Sequence, residues 1–520
     1  MKSLGRGSRF SFIFIFLISI FTTPWVQAKT VHLAVIGGGT PDSNSWTHVD
    51  EAKLFFEMVR ARGRNPLFAF SSGPRSTLNE GRALSATDFY MQTYGSTAEL
   101  MNFLPSQKFV SFPKDFDGDS RIDVQFAGTR SDIQKAIQRS VSEMRDGDEL
   151  YIQIGAHGYQ SPSIDQNEFS GIAGIFQKDN GLYPYKAKNS NEANISYTEF
   201  FQWVRTEISR RRLSNTSVRF NAQTCYGGGT LLETSPYTCG VSAQTGNKIS
   251  YGFSNPFFLK PPPAPLENLQ LYEEAGYLYF YNKFLSENAE ASMKQAYWHA
   301  ILRDLINTPI SSAEYSMKNF FLRTQTETDF LYAFEILHEQ KKDDYEFEPP
   351  QLEHVPATSE SLSALLAQLK SISEMPEARK RLFQSYVDIW TSEESIQILN
   401  SFAMSEAKLL QTLHSLGTLT KDQFGLDLIS FLEMNRIQKS ETMVSVFQMP
   451  FPEVFNNPHY KVFRTQMNTI GHVVRQIKRI QVHREQYLER IRLYVDFFMN
   501  ANDQEFADFT QADMCLSKAI

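Results

Sequence analysis

Cys225 closes the stretch Val218-Arg-Phe-Asn-Ala-Gln-Thr-Cys225, and Tyr226 and three glycines, Gly227 to Gly229, follow it. A cysteine attacks as its thiolate, and for that it needs a neighbouring base and backbone donors facing the reacting group. Val218, Phe220 and Ala222 alternate with Arg219, Asn221 and Gln223, the period of a β-strand, so the thiol falls where a strand stops. Glycines directly after it let the chain turn sharply and leave amide N–H groups uncovered by side chains. A second stretch has the same design: Glu149-Leu-Tyr-Ile-Gln-Ile-Gly-Ala-His157-Gly158 is an apolar run ending in a histidine and a glycine. If the two strands are parallel neighbours, Cys225 and His157 meet at the carboxyl edge of a sheet, where open α/β folds place their sites. The competing reading of Cys225 alone is a buried, inert thiol.

These two motifs, His-Gly after one strand and Gln-Thr-Cys-Tyr-Gly after a later one, resemble the caspase and legumain superfamily of cysteine peptidases (clan CD), in layout the legumain-type enzymes above all. The caspase signature is similar, Gln-Ala-Cys-x-Gly with a histidine ~50 residues upstream. Here the interval is 68 residues and Thr224 replaces the alanine. The resemblance runs from Lys29 to Thr326 and implies a caspase-like, doubly wound, mostly parallel α/β sheet with helices on both faces. It implies that a Cys225–His157 dyad cleaves peptide or protein substrates through an acyl-enzyme, with the backbone N–H groups of Gly158 and Cys225 as oxyanion hole and no cofactor for catalysis. A transamidase or peptide ligase using the same dyad, and a catalytically inactive caspase-like binding protein, are the alternatives.

The segment Asp42-Ser-Asn44-Ser45-Trp46-Thr47-His48 is similar to the legumain segment Asn-Tyr-Arg-His. There the asparagine orients the catalytic histidine and the arginine lines the pocket for the residue before the scissile bond. His48 matches, Asn44 is one residue out of register, and the arginine that accompanies asparagine specificity is absent. Ser250-Tyr251 resembles the end of a legumain loop that shapes the same pocket. Asn44, His48 and Ser250 are therefore candidate pocket residues, with the start of a helix as the other reading of His48.

The elements that must position these residues read as follows. Val31 to Ile36 is a buried strand turned by Gly37-Gly38-Gly39, Ala52, Phe55, Phe56 and Val59 follow helical spacing up to Gly63, and Pro66 to Phe70 is a second strand. This β-α-β opening predicts a doubly wound sheet. The first glycines are no dinucleotide fingerprint, because position 42 is Asp42. A helix from Ser131 to Arg145 leads into the His157 strand, and an amphipathic helix through Tyr197, Phe200, Phe201, Val204 and Ile208 crosses to the Cys225 strand.

The chain of 520 residues, 42% apolar and 21% charged, has an ordinary globular composition. Lys2, Arg6 and Arg9 precede an apolar run of 12 residues, Phe10 to Phe21, and Val26-Gln27-Ala28 offers a small-residue cleavage site. This pattern predicts a secretory signal peptide over residues 1–28, with an uncleaved anchor as the alternative. Cleavage changes the formal net charge from -7 to -10, because all three lost charges are positive. An exported, mildly acidic protein has no electrostatic footprint for nucleic acid and, once the leader is gone, no segment that holds it to a membrane.

Asp115-Phe-Asp117-Gly-Asp119-Ser-Arg-Ile-Asp123 turns four carboxylates toward one point, the donor set of a hard cation such as structural calcium. A solvated acidic turn gives the same pattern. Only Cys225, Cys239 and Cys515 occur, which is no disulfide framework and no zinc site. A Cys239–Cys515 bridge and two free thiols are both open. Residues 327–361 end a helix and form a charged, proline-containing linker, and residues 362–520 read as helix throughout. There Arg475, Lys478, Arg479, Arg484, Arg490 and Arg492 read as a solvated face. This helical region is expected to inhibit the catalytic domain as a cap until the linker is cut, to recruit substrate, or to complete the catalytic core.

Overall fold

A computed structural model describes residues 28–38, 44, 46–74, 80–84, 109–159, 181–182, 194–245, 276–305, 307–335, 375–427, 430–431, 434 and 436–520. The leader up to residue 27, Ser250 and the linker at 340–361 lie outside these residues. Among the described residues no helix is long and apolar enough to cross a membrane.

The apolar strand β1 (Thr30–Ile36) lies next to one edge of a six-stranded sheet. It pairs in parallel with β2 (Leu67–Phe70) on one side. The hairpin of β3 (Glu80–Leu84) and β4 (Phe109–Pro113) stands apart. On its other side β1 pairs in parallel with β5 (Glu149–Gly155). Beyond β5, the short strands β6 (Gly158–Tyr159), β7 (Gly181–Leu182) and β8 (Ile195–Ser196) make a small antiparallel sheet. The main sheet continues through β9 (Ser217–Ala222) and β10 (Thr238–Ser242), both parallel, and ends on β11 (Ile310–Ser311), which is antiparallel. The architecture is thus mixed α/β with a mainly parallel sheet, followed by a helical region.

Helix α1 (Trp46–Arg60) joins β1 to β2, α2 (Arg130–Ser142) precedes β5, and α3 (Tyr197–Arg210) crosses from β8 to β9. Thr129 and Ser196 cap α2 and α3 by accepting the N–H of Asp132 and of Glu199, donors with no partner inside the helix. After β10 come α4 (Tyr277–Glu287) and α5 (Met293–Arg303), and after β11 come α6 (Ser312–Thr324) and α7 (Glu327–Glu335). Alternate strand residues meet different helices, as the pleat requires. Phe220 of β9 packs on Phe201 of α3, with ring centroids 4.9 Å apart. Tyr151 of β5 stacks on Phe55 of α1, and its hydroxyl lies 3.4 Å from that of Tyr281 on α4.

The C-terminal region contains α8 (Glu377–Trp390), α9 (Glu393–Phe424), α10 (Arg436–Phe447), α11 (Phe451–Val454), α12 (Pro458–Asn500) and α13 (Asp503–Leu516). It does not form a separate core. One continuous cluster of buried side chains runs from the sheet into α8, α9, α12 and α13. Its hinge is Trp298 on α5, whose ring meets those of Tyr386, Trp390, Tyr487 and Tyr494. A smaller cluster around Leu426, Phe431, Val454 and Phe463 lies at the far end of α9 and α12.

The basic residues of α12 are not one solvated face. Arg484 and Arg490 are buried, paired with Glu406 and Glu314, and Arg490 also donates to the Pro309 carbonyl. Their partners stand on α9 and α6, so periodicity along α12 alone could not reveal them.

Cys239 and Cys515 form a disulfide that ties α13 to β10 across 276 residues of sequence. Nearby, the buried Arg219 guanidinium pairs with Glu149 and donates to the carbonyls of Lys518 and Ala519, each at 2.7 Å. Closing so long a loop restricts the unfolded chain, an effect worth about 3–5 kcal/mol. Cys239→Ser or Cys515→Ser should lower stability by about that amount, read by denaturant unfolding. The denatured, unreduced wild type should show a single reactive thiol, and three would exclude the bridge.

Candidate active site

Strand register decides which loops meet. Glu149 lies opposite Ser217 and Ile154 opposite Ala222, and beyond the strands the Gln223 N–H still donates to the Ile154 carbonyl at 2.7 Å. Continuing the register one turn further puts His157 opposite Cys225. Contact at this point is close. A methyl group built on Gly158 would stand 2.0 Å from the Cys225 carbonyl oxygen and 2.5 Å from Thr224 Oγ1. Only glycine lets the two turns approach this far. Cys225 is half-buried and in no disulfide, and His157 is exposed.

The turn after Cys225 is tightly constrained. Tyr226 adopts φ 60°, ψ 24°, left-handed backbone that a residue with a side chain enters at a cost. Gly227 to Glu233 then form a short 3₁₀-helix. Tyr197, the first residue of α3, reaches this turn from the opposite side. Its hydroxyl lies 3.2 Å from Thr224 Oγ1 and 3.3 Å from the Cys225 carbonyl oxygen. Burial raises the pKa of that phenol well above its ordinary value, so it stays a donor. In the sequence Tyr197 reads only as an apolar residue of α3; an aromatic stripe gives no sign of where its hydroxyl points.

The remaining candidates divide. Asn44 is fully buried and staples the turn after β1: its Oδ1 accepts the Gly38 N–H and its Nδ2 donates to the Gly38 carbonyl, both at 3.0 Å. His48, the third residue of α1, is buried against His157, with ring centroids 5.1 Å apart and planes at 83°. Burial first and the charge of His157 second hold the His48 imidazole well below its usual value, so it stays neutral. One turn along α1, Glu51 fills the space over Gly155, its Oε2 2.5 Å from where a methyl would stand. Burial, with Asp50 adding repulsion, raises this carboxyl well above its ordinary range.

The acidic loop follows β4. Carboxylate oxygens of Asp115, Asp117 and Asp123 lie within 4.8 Å of one another, and Asp119 is not part of that group. Asp115 accepts N–H groups from Gly118, Asp119 and Ser120, and Asp123 accepts that of Phe116. Burial above all, with the neighbouring carboxylates adding repulsion, raises the pKa of Asp123. Asp117 lies 3.5 Å from Arg60 at the end of α1, about 18 Å along the helix from His48.

Compared with known proteins, the chain matches no family model and no curated protein.

Gly158→Ala should push the Cys225 carbonyl aside and slow iodoacetamide labelling of the folded protein by about 10- to 100-fold, the cost of misplacing a reacting group by an ångström. Tyr197→Phe should slow it less and cost about 0.5–1.5 kcal/mol of stability. Labelling rates of both variants at the wild-type value would show that these contacts do not shape the nucleophile turn.

Proposed function

We propose that the chain is an exported cysteine endopeptidase of the caspase and legumain type, working through Cys225 and His157. The observation that carries this reading is the approach of Gly158 to the Cys225 carbonyl, which brings the His-Gly and Cys-Tyr-Gly turns of adjacent parallel strands into contact. Cys225 thiolate attacks the scissile carbonyl and forms an acyl-enzyme. His157, protonated in the resting ion pair, gives its proton to the departing amine and then takes one from the water that releases the acid. Gly158 and Cys225 N–H groups stabilise the oxyanion, and the missing side chain of Gly158 lets the two turns meet. A disulfide between Cys239 and Cys515 fits an oxidising compartment, in keeping with the basic and apolar leader. The helical region shares its core with the sheet, and its last helix is bonded near the amino ends of β9 and β10, at the edge opposite Cys225. This packing favours a structural role for that region over a removable cap.

Cys225→Ala and His157→Ala should each abolish hydrolysis of a peptide library while leaving the melting transition in place, and the double variant should be little worse than either. Full activity in Cys225→Ala would sink the proposal. Products that carry an added amine nucleophile would mark a transamidase on the same dyad.

For the acidic loop we propose structural calcium held by Asp115, Asp117 and Asp123. Three convergent carboxylates repel one another, and a divalent cation relieves that repulsion. Because a ligand of the native state stabilises by mass action, calcium should raise the melting temperature of the wild type and not of Asp117→Ala. An unchanged melting temperature at millimolar calcium would leave a solvated acidic turn.

A further inference from the structure

The proposed dyad raises a question of aim. His157 is exposed and sits on a turn past the end of β5, so the strand itself does not fix the direction of its ring. A base must be held to about 0.5 Å and 10–20° to work on a fixed nucleophile. Something has to select one orientation.

We infer that His48 is the positioning residue for His157: its buried ring, packed edge-to-face on the His157 imidazole, holds that ring toward Cys225. The inference rests on the dyad reading given above. Ring centroids 5.1 Å apart with planes at 83° are the arrangement in which aromatic rings attract. The His48 backbone is fixed in α1, and one turn further Ala52 and Phe55 lock that helix into the core. Asn44, which lies earlier in the same segment, has its amide oxygen and nitrogen on the two polar groups of Gly38, where it shapes the turn after β1. Its Oδ1 also occupies the space beside Gly37, whose φ is +59°.

The electrostatics support the same division of labour. Two adjacent imidazoles cannot both carry a proton cheaply, and burial keeps His48 neutral. The exposed His157 is then the ring that takes the charge and pairs with the thiolate. The titratable groups next along the chain from these residues are Asp50, Glu51 and Lys53 on α1, Tyr159 on β6 and Tyr226 after β9, and Tyr197 on α3 reaches the Cys225 carbonyl. Glu51 is kept protonated by burial, so it adds no charge beneath the pair.

The test measures the rate of Cys225 alkylation by iodoacetamide against pH in the full-length protein, together with kcat and KM on a cleaved peptide. His157→Ala should leave only the rise of an ordinary thiol near pH ~8.5. His48→Ala should move the alkylation profile toward that value and lower kcat about 10- to 100-fold with KM unchanged. His48→Phe, which keeps a ring edge in place, should stay close to wild type, and His48→Gln should behave like His48→Ala. Where His48→Ala fails to fold, the contrast of Phe with Gln decides by the same criterion. A His48→Gln protein with the wild-type profile and kcat, or a His48→Phe protein as impaired as His48→Gln, overturns the role of the ring. A His157→Ala protein that alkylates like wild type overturns the dyad itself, and the role of His48 with it.

Discussion

The parallel pairing of β5 with β9 is the constraint on which the rest of the site depends. A strand pair in register ends in register, so Ile154 opposite Ala222 brings the following turns, at Gly158 and Cys225, against each other. A slip of one residue would turn every side chain of β9 to the other face. It would also break the bond from the Gln223 N–H to the Ile154 carbonyl and carry the Cys225 carbonyl away from Gly158. Leu150, Ile152, Val218 and Phe220 hold the register, because all four are buried and none tolerates the opposite face.

The other side of the same strands is unusual in its polarity. Glu149, Tyr151 and Gln153 alternate along β5, and Arg219, Asn221 and Gln223 alternate along and just past β9. These side chains are buried under α1 and α4, and only some have protein partners. Arg219 pairs with Glu149, and Gln223 accepts the Leu278 N–H at 2.6 Å. Among the described residues the amide atoms of Gln153 and Asn282 find no hydrogen-bond partner. An apolar substitute at such sites is often as stable or more so, so stability alone does not account for a polar layer here. The layer starts where the C-terminal segment is anchored and ends at Gln223 and at Glu51, which meets Gly155 at the end of β5.

Much of this arrangement was legible in the sequence, and the legible part has a common cause. Strand ends marked by His157-Gly158 and Cys225-Tyr-Gly stand out because period-two alternation stops at a glycine, and that signal is local. The helices over Ala52 to Val59 and Tyr197 to Ile208 were equally local. What was not legible depends on partners far away in the chain. Arg484 and Arg490 read as solvent-facing until Glu406 and Glu314 are brought against them. Cys239 and Cys515 carry no sign of their pairing, since connectivity is not written in spacing. Tyr197 gives a third kind of case. Its place on α3 was readable, but its hydroxyl bonding is set by the angle at which α3 crosses β9.

The position of the helical region narrows what it can do. A cap must lie over the carboxyl edge and detach at a modest cost. Here α13 is covalently joined to β10, Lys294 and Asp513 pair where both are buried, and Trp298 is enclosed by rings from α8 and α12. Removing such a region would strip apolar surface from α5 and α6 and leave Lys294 and Glu314 as buried charges without their partners, a change that costs several kcal/mol for each pair. The contact nearest the site is indirect. Arg490 donates to the Pro309 carbonyl, and the adjacent Thr308 bonds Gln244, just past the carboxyl end of β10. Through this relay α12 bears on Gln244, where β10 ends. The helical region is thus joined to the carboxyl end of β10 as well as to its amino end, and it shares the core on which the sheet is built.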